Sequence, residues 1–393
     1  MASDERTIKG RAAIVGIGET RYYKRAQSPH PELRLCLEAI MAAADDAGLS
    51  VDDLDGFASY SNDRNDPSLI ASALGIPELR FSNMVWGGGG GGGSAAVGNA
   101  AAAVAAGYAD HVVVFRALAQ GQFGRFGQAP PLRTVSGPMA YTMPYGLMSP
   151  AQMFAMRVQR FMHEHGVGQP ALRAVALASY HHAQSNPRAI MNGRPLTPEA
   201  YDASRWIVEP FHLYDCCMEN DGAAAVIVTS AERAADLRQP PAHVWAAAQG
   251  SAEGQALAAH NAPDYATSNF KTLAPRLYAT AGVGPADIDV VQSYENFTGG
   301  VVMALVEHGF CAPEQVNDFF TPENLSAPGG RLPLNTSGGN LAECYMHGLE
   351  LIIEAVRQVR GTSTSQVTDV ELSLVISGPM VSPVSNLLLA ATR

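Results

Sequence analysis

Tyr294 and Tyr345 carry phenols that could move protons. Tyr294 opens the run Tyr294-Glu295-Asn296-Phe297, and Tyr345 lies in Cys344-Tyr345-Met346-His347-Gly348. A phenol with its ordinary pKa of about 10 is a proton donor at neutral pH, and a polarising neighbour lets it accept a proton too. Glu295, His347 and Cys344 flank the pair and are candidates to tune it. Neighbours on a strand point to opposite faces, which counts against Glu295. A third feature is the seven-glycine run Gly87 to Gly93, set between Met84-Val85-Trp86 and a helix expected from near Ser94. Such a run is costly in chain entropy and is too short to separate domains. A strand–glycine–helix element brings backbone N–H groups close to a ligand, and the helix end adds partial positive charge. That suits an oxyanion or enolate. Phenols beside a cradle for negative charge point to acid–base chemistry at carbon.

The elements that must position these groups occur twice. Residues 47–60 and 281–294 match at an offset of 234 residues, with identities Ala47/Ala281, Gly48/Gly282, Asp53/Asp287, Asp55/Asp289, Ser59/Ser293 and Tyr60/Tyr294. Each copy follows an apolar helical stretch, Leu33 to Ala47 and Leu273 to Ala281. Gly48 and Gly282 are placed to cap those helices. A glycine turn and a small-residue helix follow at Gly90 to Gly107 and again at Gly338 to Gly361. Strands are expected at His111 to Ala117, Ala224 to Ser230 and Val370 to Ser377. The ordered match predicts a duplicated α/β fold. Between the copies, Leu118 to Pro210 is rich in Met, Pro, Tyr and His, with helices expected at Pro150 to His165 and Gln169 to Asn186 and no strand periodicity.

Composition narrows the function. The chain has 393 residues, 47% hydrophobic and 16% charged, enough for one large or two fused α/β domains. The net charge of −11, with no Lys/Arg run or basic aromatic stripe, argues against nucleic acid. Low charge with abundant Ala and Gly suggests an oligomer. No apolar stretch reaches the ~20 residues of a membrane span, and Met1 to Lys9 has no signal-peptide core, so a cytoplasmic protein is expected. Cys36, Cys216, Cys217, Cys311 and Cys344 are irregularly spaced, which disfavours a disulfide framework or a zinc site.

Ala13-Ile14-Val15-Gly16-Ile17-Gly18-Glu19-Thr20, Glu219-Asn220-Asp221-Gly222-Ala223-Ala224-Ala225 and Asn335-Thr336-Ser337-Gly338-Gly339 follow one another in a telling order. In that order the chain resembles the thiolase superfamily over nearly its whole length, in the branch that includes the sterol carrier protein X thiolase. The resemblance implies an α/β, thiolase-like duplicated fold of two βαβαβ-type halves, with mixed sheets stacked about a central helix layer. The N-terminal half would comprise 1–117 and 211–240, the inserted loop domain 118–210, and the C-terminal half 241–393. Thiolases use a nucleophilic Cys, a His or Asn in a His-Glu-Ala-Phe-like motif, a His in Gly-His-Pro and a second Cys. Carried over position by position, these slots fall on Gly90, Tyr294 and Tyr345, and the last Cys is missing from Val375 to Met380. A glycine forms no acyl-enzyme. The family's oxyanion hole would survive as the N–H groups of Gly90 and Ser377.

Phenols at these slots resemble the steroid side-chain-cleaving aldolases of bacterial cholesterol degradation. The resemblance implies retro-aldol cleavage of a 17-hydroxy-3-oxo-pregnene-20-carboxyl-CoA to a 17-ketosteroid and propionyl-CoA. One tyrosine takes the β-hydroxyl proton and the other protonates Cα. Coenzyme A enters only as part of the substrate, with no other cofactor and no metal. A homodimer and a small OB-fold partner that binds acyl-CoA are implied. Two other readings stand beside it: a catalytically silent acyl-CoA-binding or scaffold subunit, and a condensing enzyme using Cys344, which falls on the glycine of Gly-His-Pro. Tyr60, His181, His182, His212, Cys216 and Cys217 read as structural, and the methionine-rich stretch Met139 to Met156 as plain core, with the wall of an apolar pocket as its second reading.

Overall fold

The computed structural model describes residues 7–123, 134–255, 262 and 264–392. The insertion expected at 118–210 therefore lies partly outside the described residues. The strands are β1 (Ala12–Glu19), β2 (Tyr23–Lys24), β3 (Gly56–Tyr60), β4 (Phe81–Val85), β5 (His111–Ala119), β6 (Trp206–Val208), β7 (Phe211–His212), β8 (Asn220–Ser230), β9 (Ala242–Gly250), β10 (Val290–Ser293), β11 (Leu372–Ser377) and β12 (Val384–Ala390). The helices of the first half are α1 (Glu32–Ala47), α2 (Pro67–Leu74) and α3 (Gly93–Ala105). Then come α4 (Pro150–His165), α5 (Gln169–Ser185), α6 (Pro198–Asp202) and α7 (Ala231–Ala234). The second half adds α8 (Leu273–Ala281), α9 (Thr298–Glu307), α10 (Val316–Phe319), α11 (Pro322–Leu325), α12 (Gly339–Ala342) and α13 (Leu349–Arg360).

The strand order shows the duplication. The main sheet runs β10-β11-β12-β9-β1-β8-β5-β3-β4. Read outward from the β1–β9 seam, one arm is β1-β8-β5-β3 and the other β9-β12-β11-β10. The pairings match as well. β3 and β5 are parallel, as are β10 and β11, while β5–β8 and β11–β12 are antiparallel. The two arms meet through only two residue pairs, Ala13↔His243 and Ile14↔Ala242. Both predicted caps form: Gly48 (φ 76°) and Gly282 (φ 74°) are left-handed and end α1 and α8. One feature differs from expectation. The insertion contains the small hairpin β6–β7, whose strands of three and two residues are too short to show periodicity.

Strand alternation sorts the core into layers. Val113, Phe115 and Ala117 of β5 pack with α1, while Val112, Val114 and Leu118 face α3 and α13. Val375, Leu387 and Leu389 of the other arm meet those same two helices. Leu374, Ile376 and Leu388 pack outward on α8, α9 and the inserted helices. The helices α3 and α13 are therefore the shared central layer, and the functional side chains lie at its ends.

Candidate active site

Tyr294 follows the last residue of β10. Its N–H donates to the Ile376 carbonyl at 2.9 Å, so the β10–β11 register carries it. Asn335 clamps the preceding residue from both sides: Ser293 N–H donates to its Oδ1 at 2.7 Å, and its Nδ2 donates to the Ser293 carbonyl at 2.9 Å. Tyr345 lies between α12 and α13, outside regular structure. Its N–H donates to Asn220 Oδ1 at 2.6 Å, and Tyr60 Oη donates to the His347 carbonyl at 3.1 Å. These tethers bring the hydroxyls of Tyr294 and Tyr345 to 2.7 Å. Both side chains are buried, 2% and 6% exposed.

Gly90 lies against the Tyr294 ring. A Cβ there would be 2.3 Å from both Cε2 and Cζ. The glycine run is a tightly packed junction: Gly88 (φ 73°) would place a Cβ 2.6 Å from the Pro383 carbonyl. Gly89–Gly92 forms a 3₁₀ turn leading into α3. The leading N–H groups of such a turn have no partner within it. Gly88, Gly89 and Gly90 line a cavity of about 660 Å³, together with both tyrosines.

His347 also lines that cavity, its ring centroid 5.4 Å from Tyr345 and 6.3 Å from Tyr294. Burial, with the Arg116 charge, pushes its pKa well below the ordinary imidazole value, so it is neutral. Glu295 points away, as strand alternation requires. It packs against the start of α12, where a Cβ on Gly339 would meet its Oε1. Burial raises its carboxyl to about 8. Glu350 is likewise buried and pushed up, and it accepts a hydrogen bond from Asn340 Nδ2. Cys344 faces the core with Tyr22, fully buried, its thiol pushed up by burial, and is absent from the cavity wall.

Three expectations need correction. Ser377 does not line the cavity: it ends β11, and its hydroxyl is 2.8 Å from Ser94 Oγ and accepts the Ser94 N–H at 3.2 Å. The neighbouring turn presents Val381 and Ser382 instead, because left-handed Gly378 presses its backbone on Gly91. Cys216 and Cys217, read as packing residues, line the cavity. The methionines of 139–156 do not line it, whereas Pro150, Ala151 and Phe154 of that stretch do. Asn296, Arg25 and Glu219 were not singled out for the site. The two-residue period from Tyr294 could have found Asn296, but nothing local marks the other two.

Burial dominates the electrostatics. Both phenols are pushed well above the ordinary tyrosine value by desolvation. Their mutual hydrogen bond then raises Tyr294 further and lowers Tyr345. Either hydroxyl can be the donor of this hydrogen bond, so a proton can pass in either direction along it. The site holds neutral phenols, a neutral imidazole and backbone donors, a set able to pass protons without creating buried charge. Among the described residues, no group of three or more His, Cys, Asp or Glu side chains converges as metal donors.

Comparisons with known proteins place the chain in a family. Residues 251–389 match the thiolase C-terminal domain-like family. A steroid side-chain-cleaving aldolase of Thermomonospora curvata is 43% identical, covering 98% of this chain and 99% of that one. The 17-hydroxy-3-oxo-4-pregnene-20-carboxyl-CoA lyase of Mycobacterium tuberculosis is 42% identical over 97% of this chain and 100% of its own. Among solved structures, the Ltp2–ChsH2(DUF35) aldolase superposes with a TM-score of 0.92 at 42% identity, covering 98% of this chain and 99% of that one. The chain belongs to the steroid side-chain-cleaving aldolases of the thiolase superfamily.

Proposed function

We propose that this protein is an acyl-CoA lyase that cleaves the Cα–Cβ bond of a β-hydroxyacyl-CoA by a retro-aldol step. The substrate is 17-hydroxy-3-oxo-4-pregnene-20-carboxyl-CoA, and the products are a 17-ketosteroid and propionyl-CoA. The observation that carries this reading is the 2.7 Å contact between the hydroxyls of Tyr294 and Tyr345, on the wall of a cavity where Gly90 leaves no side chain to attack. The relatives at 43% and 42% identity, an aldolase and a lyase, support it.

The geometry favours a relay that makes no phenolate. The β-hydroxyl gives its proton to the Tyr345 oxygen as Tyr345 passes its own proton to Tyr294. The C–O bond becomes the ketone as the Cα–Cβ bond breaks toward the thioester. In the same movement Tyr294 delivers its own proton to Cα, so neither phenol carries a second proton and the enolate charge develops only in part. Each tyrosine ends as it began, which suits phenols that burial holds neutral. The enolate oxygen lies toward the N–H groups of the glycine turn, where the helix end favours negative charge. The reaction as written draws on the substrate and the chain alone, with coenzyme A as part of the substrate. We further propose a cytoplasmic homodimer working with a small OB-fold partner that binds acyl-CoA. The DUF35 component named with the similar solved aldolase supports that partner.

The test is incubation of the full chain, with and without the partner, with the 17-hydroxy CoA thioester. Equimolar 17-ketosteroid and propionyl-CoA are expected. Absence of ketone in both arms sinks the reading.

A further inference from the structure

The extended segment Cys216 to Glu219 measures the cavity from end to end. Cys216 forms a backbone bridge with Phe297, whose ring stacks on Phe211 at 4.8 Å and tilts against Phe154 at 5.5 Å. The Cys217 N–H donates to the Asn296 carbonyl at 3.0 Å, and its thiol is within electrostatic reach of both phenols. Glu219 meets Arg25, with Nε 3.6 Å from Oε2. An extended chain advances about 3.3 Å per residue, so Cys216 to Glu219 spans roughly 10 Å. Cys217, whose thiol reaches both phenols, lies between the two ends of the segment.

The ends differ in chemistry. At the Phe297 end the wall is apolar, with Ala151 and Phe154 of α4, Ile207 of β6 and Leu213. At the other end Arg25 is the one Lys or Arg side chain among the described lining residues. Its Nε is buried and faces Glu219 Oε2 at 3.6 Å, and its Nη2 donates to the Phe123 carbonyl at 3.3 Å. A hydrocarbon ring fragment placed at this end would strip water from the Arg25–Glu219 ion pair, which is costly. An arm that carries amides can hydrogen-bond to the pair's remaining polar atoms. Both effects favour one orientation.

We propose that the Ala151–Phe154–Ile207 end is the subsite for the ketone-forming ring fragment, and that the Arg25 end holds the thioester arm. Arg25 donates a hydrogen bond to an amide carbonyl of the pantetheine portion. The assignment rests on the aldolase reading above. It makes Ala151 and Ile207 determinants of substrate bulk.

Binding of products to the full chain tests this without turnover. Ala151→Trp fills the apolar end and is expected to weaken binding of the free 17-ketosteroid at least tenfold, leaving CoA affinity within about twofold. Arg25→Ala is expected to do the reverse. Ile207→Trp, on another element, repeats the first arm should Ala151→Trp unfold. For turnover, the ratio of kcat/KM for the steroid thioester to that for 3-hydroxy-3-methylbutyryl-CoA should fall at least tenfold in either tryptophan variant and hold in Arg25→Ala. The orientation is wrong if both ligands weaken together in each variant, if neither weakens, or if the pattern is crossed. Product binding that follows the expected pattern with no cleavage of either thioester by the wild type overturns the aldolase reading alone.

Discussion

The ring of Tyr294 occupies the space that a side chain at Gly90 would need, 2.3 Å from a Cβ built there. A phenol at 294 and a nucleophile at 90 are mutually exclusive on this backbone.

Gly90→Ala should displace the Tyr294 ring and break the hydroxyl contact with Tyr345. We expect kcat for ketone release to fall at least about a hundredfold, since proton transfer by a positioned group contributes roughly 10²–10⁴-fold. Gly90→Cys should fare no better and give no acyl adduct by mass spectrometry. Turnover with either variant near the wild-type rate would show that the ring can move aside.

Tyr294→Phe and Tyr345→Phe should each lower kcat by about 10²–10⁴ while the affinity for product changes little. Because one relay needs both hydroxyls, the double variant should be scarcely slower than the worse single variant. Additive losses, read from steady-state kinetics, would mean that the two phenols act in separate steps. Full activity in the double variant would favour a catalytically silent subunit.

Cys344→Ala should leave kcat within about twofold of the wild type. Its thiol is fully buried beside Tyr22 and off the cavity wall. A small loss of thermal stability is expected from the cavity left behind. Loss of turnover in a folded Cys344→Ala protein would restore the condensing-enzyme alternative.

Buried carboxylates should set the pH dependence of stability above neutrality. Burial raises Glu295 to about 8, Glu343 to about 7 and Asp215 to about 6. A carboxyl raised in the folded state holds its proton there after the unfolded chain has released its own. Each such group favours folding at low pH and loses that advantage as pH rises toward its folded value. His182 and His308, lowered by burial to about 3 and about 4, act the opposite way below about 6.5. Between pH 6.5 and 8 the carboxylates prevail, and stability should fall as pH rises. One group contributes at most about 1.4 kcal/mol per pH unit. Glu295→Gln should flatten this slope in melting experiments, and an unchanged slope would exclude Glu295 as its source.

Much of the scaffold could be read from the chain because its signals are local. A helix that ends at Gly48 or Gly282 needs a left-handed residue at that point, and glycine supplies it. The repeat across 47–60 and 281–294 announced the pseudo-symmetric sheet arms, since each copy carries its own cap and strand entry. The two tyrosines and the glycine run were visible because each sits in a short ordered motif. The pairing of their hydroxyls was not visible. It depends on Asn220 holding the Tyr345 backbone and Ile376 holding Tyr294, contacts made across the sheet by residues remote in sequence. Ser377 and Cys217 show the same limit: the Gly378–Gly91 contact turned the first away from the cavity, and the bond from Cys217 N–H to Asn296 brought the second to it. Sequence fixes which groups a backbone carries and where a segment must bend. Which groups share one desolvated space is decided only when distant segments pack and exclude water between them.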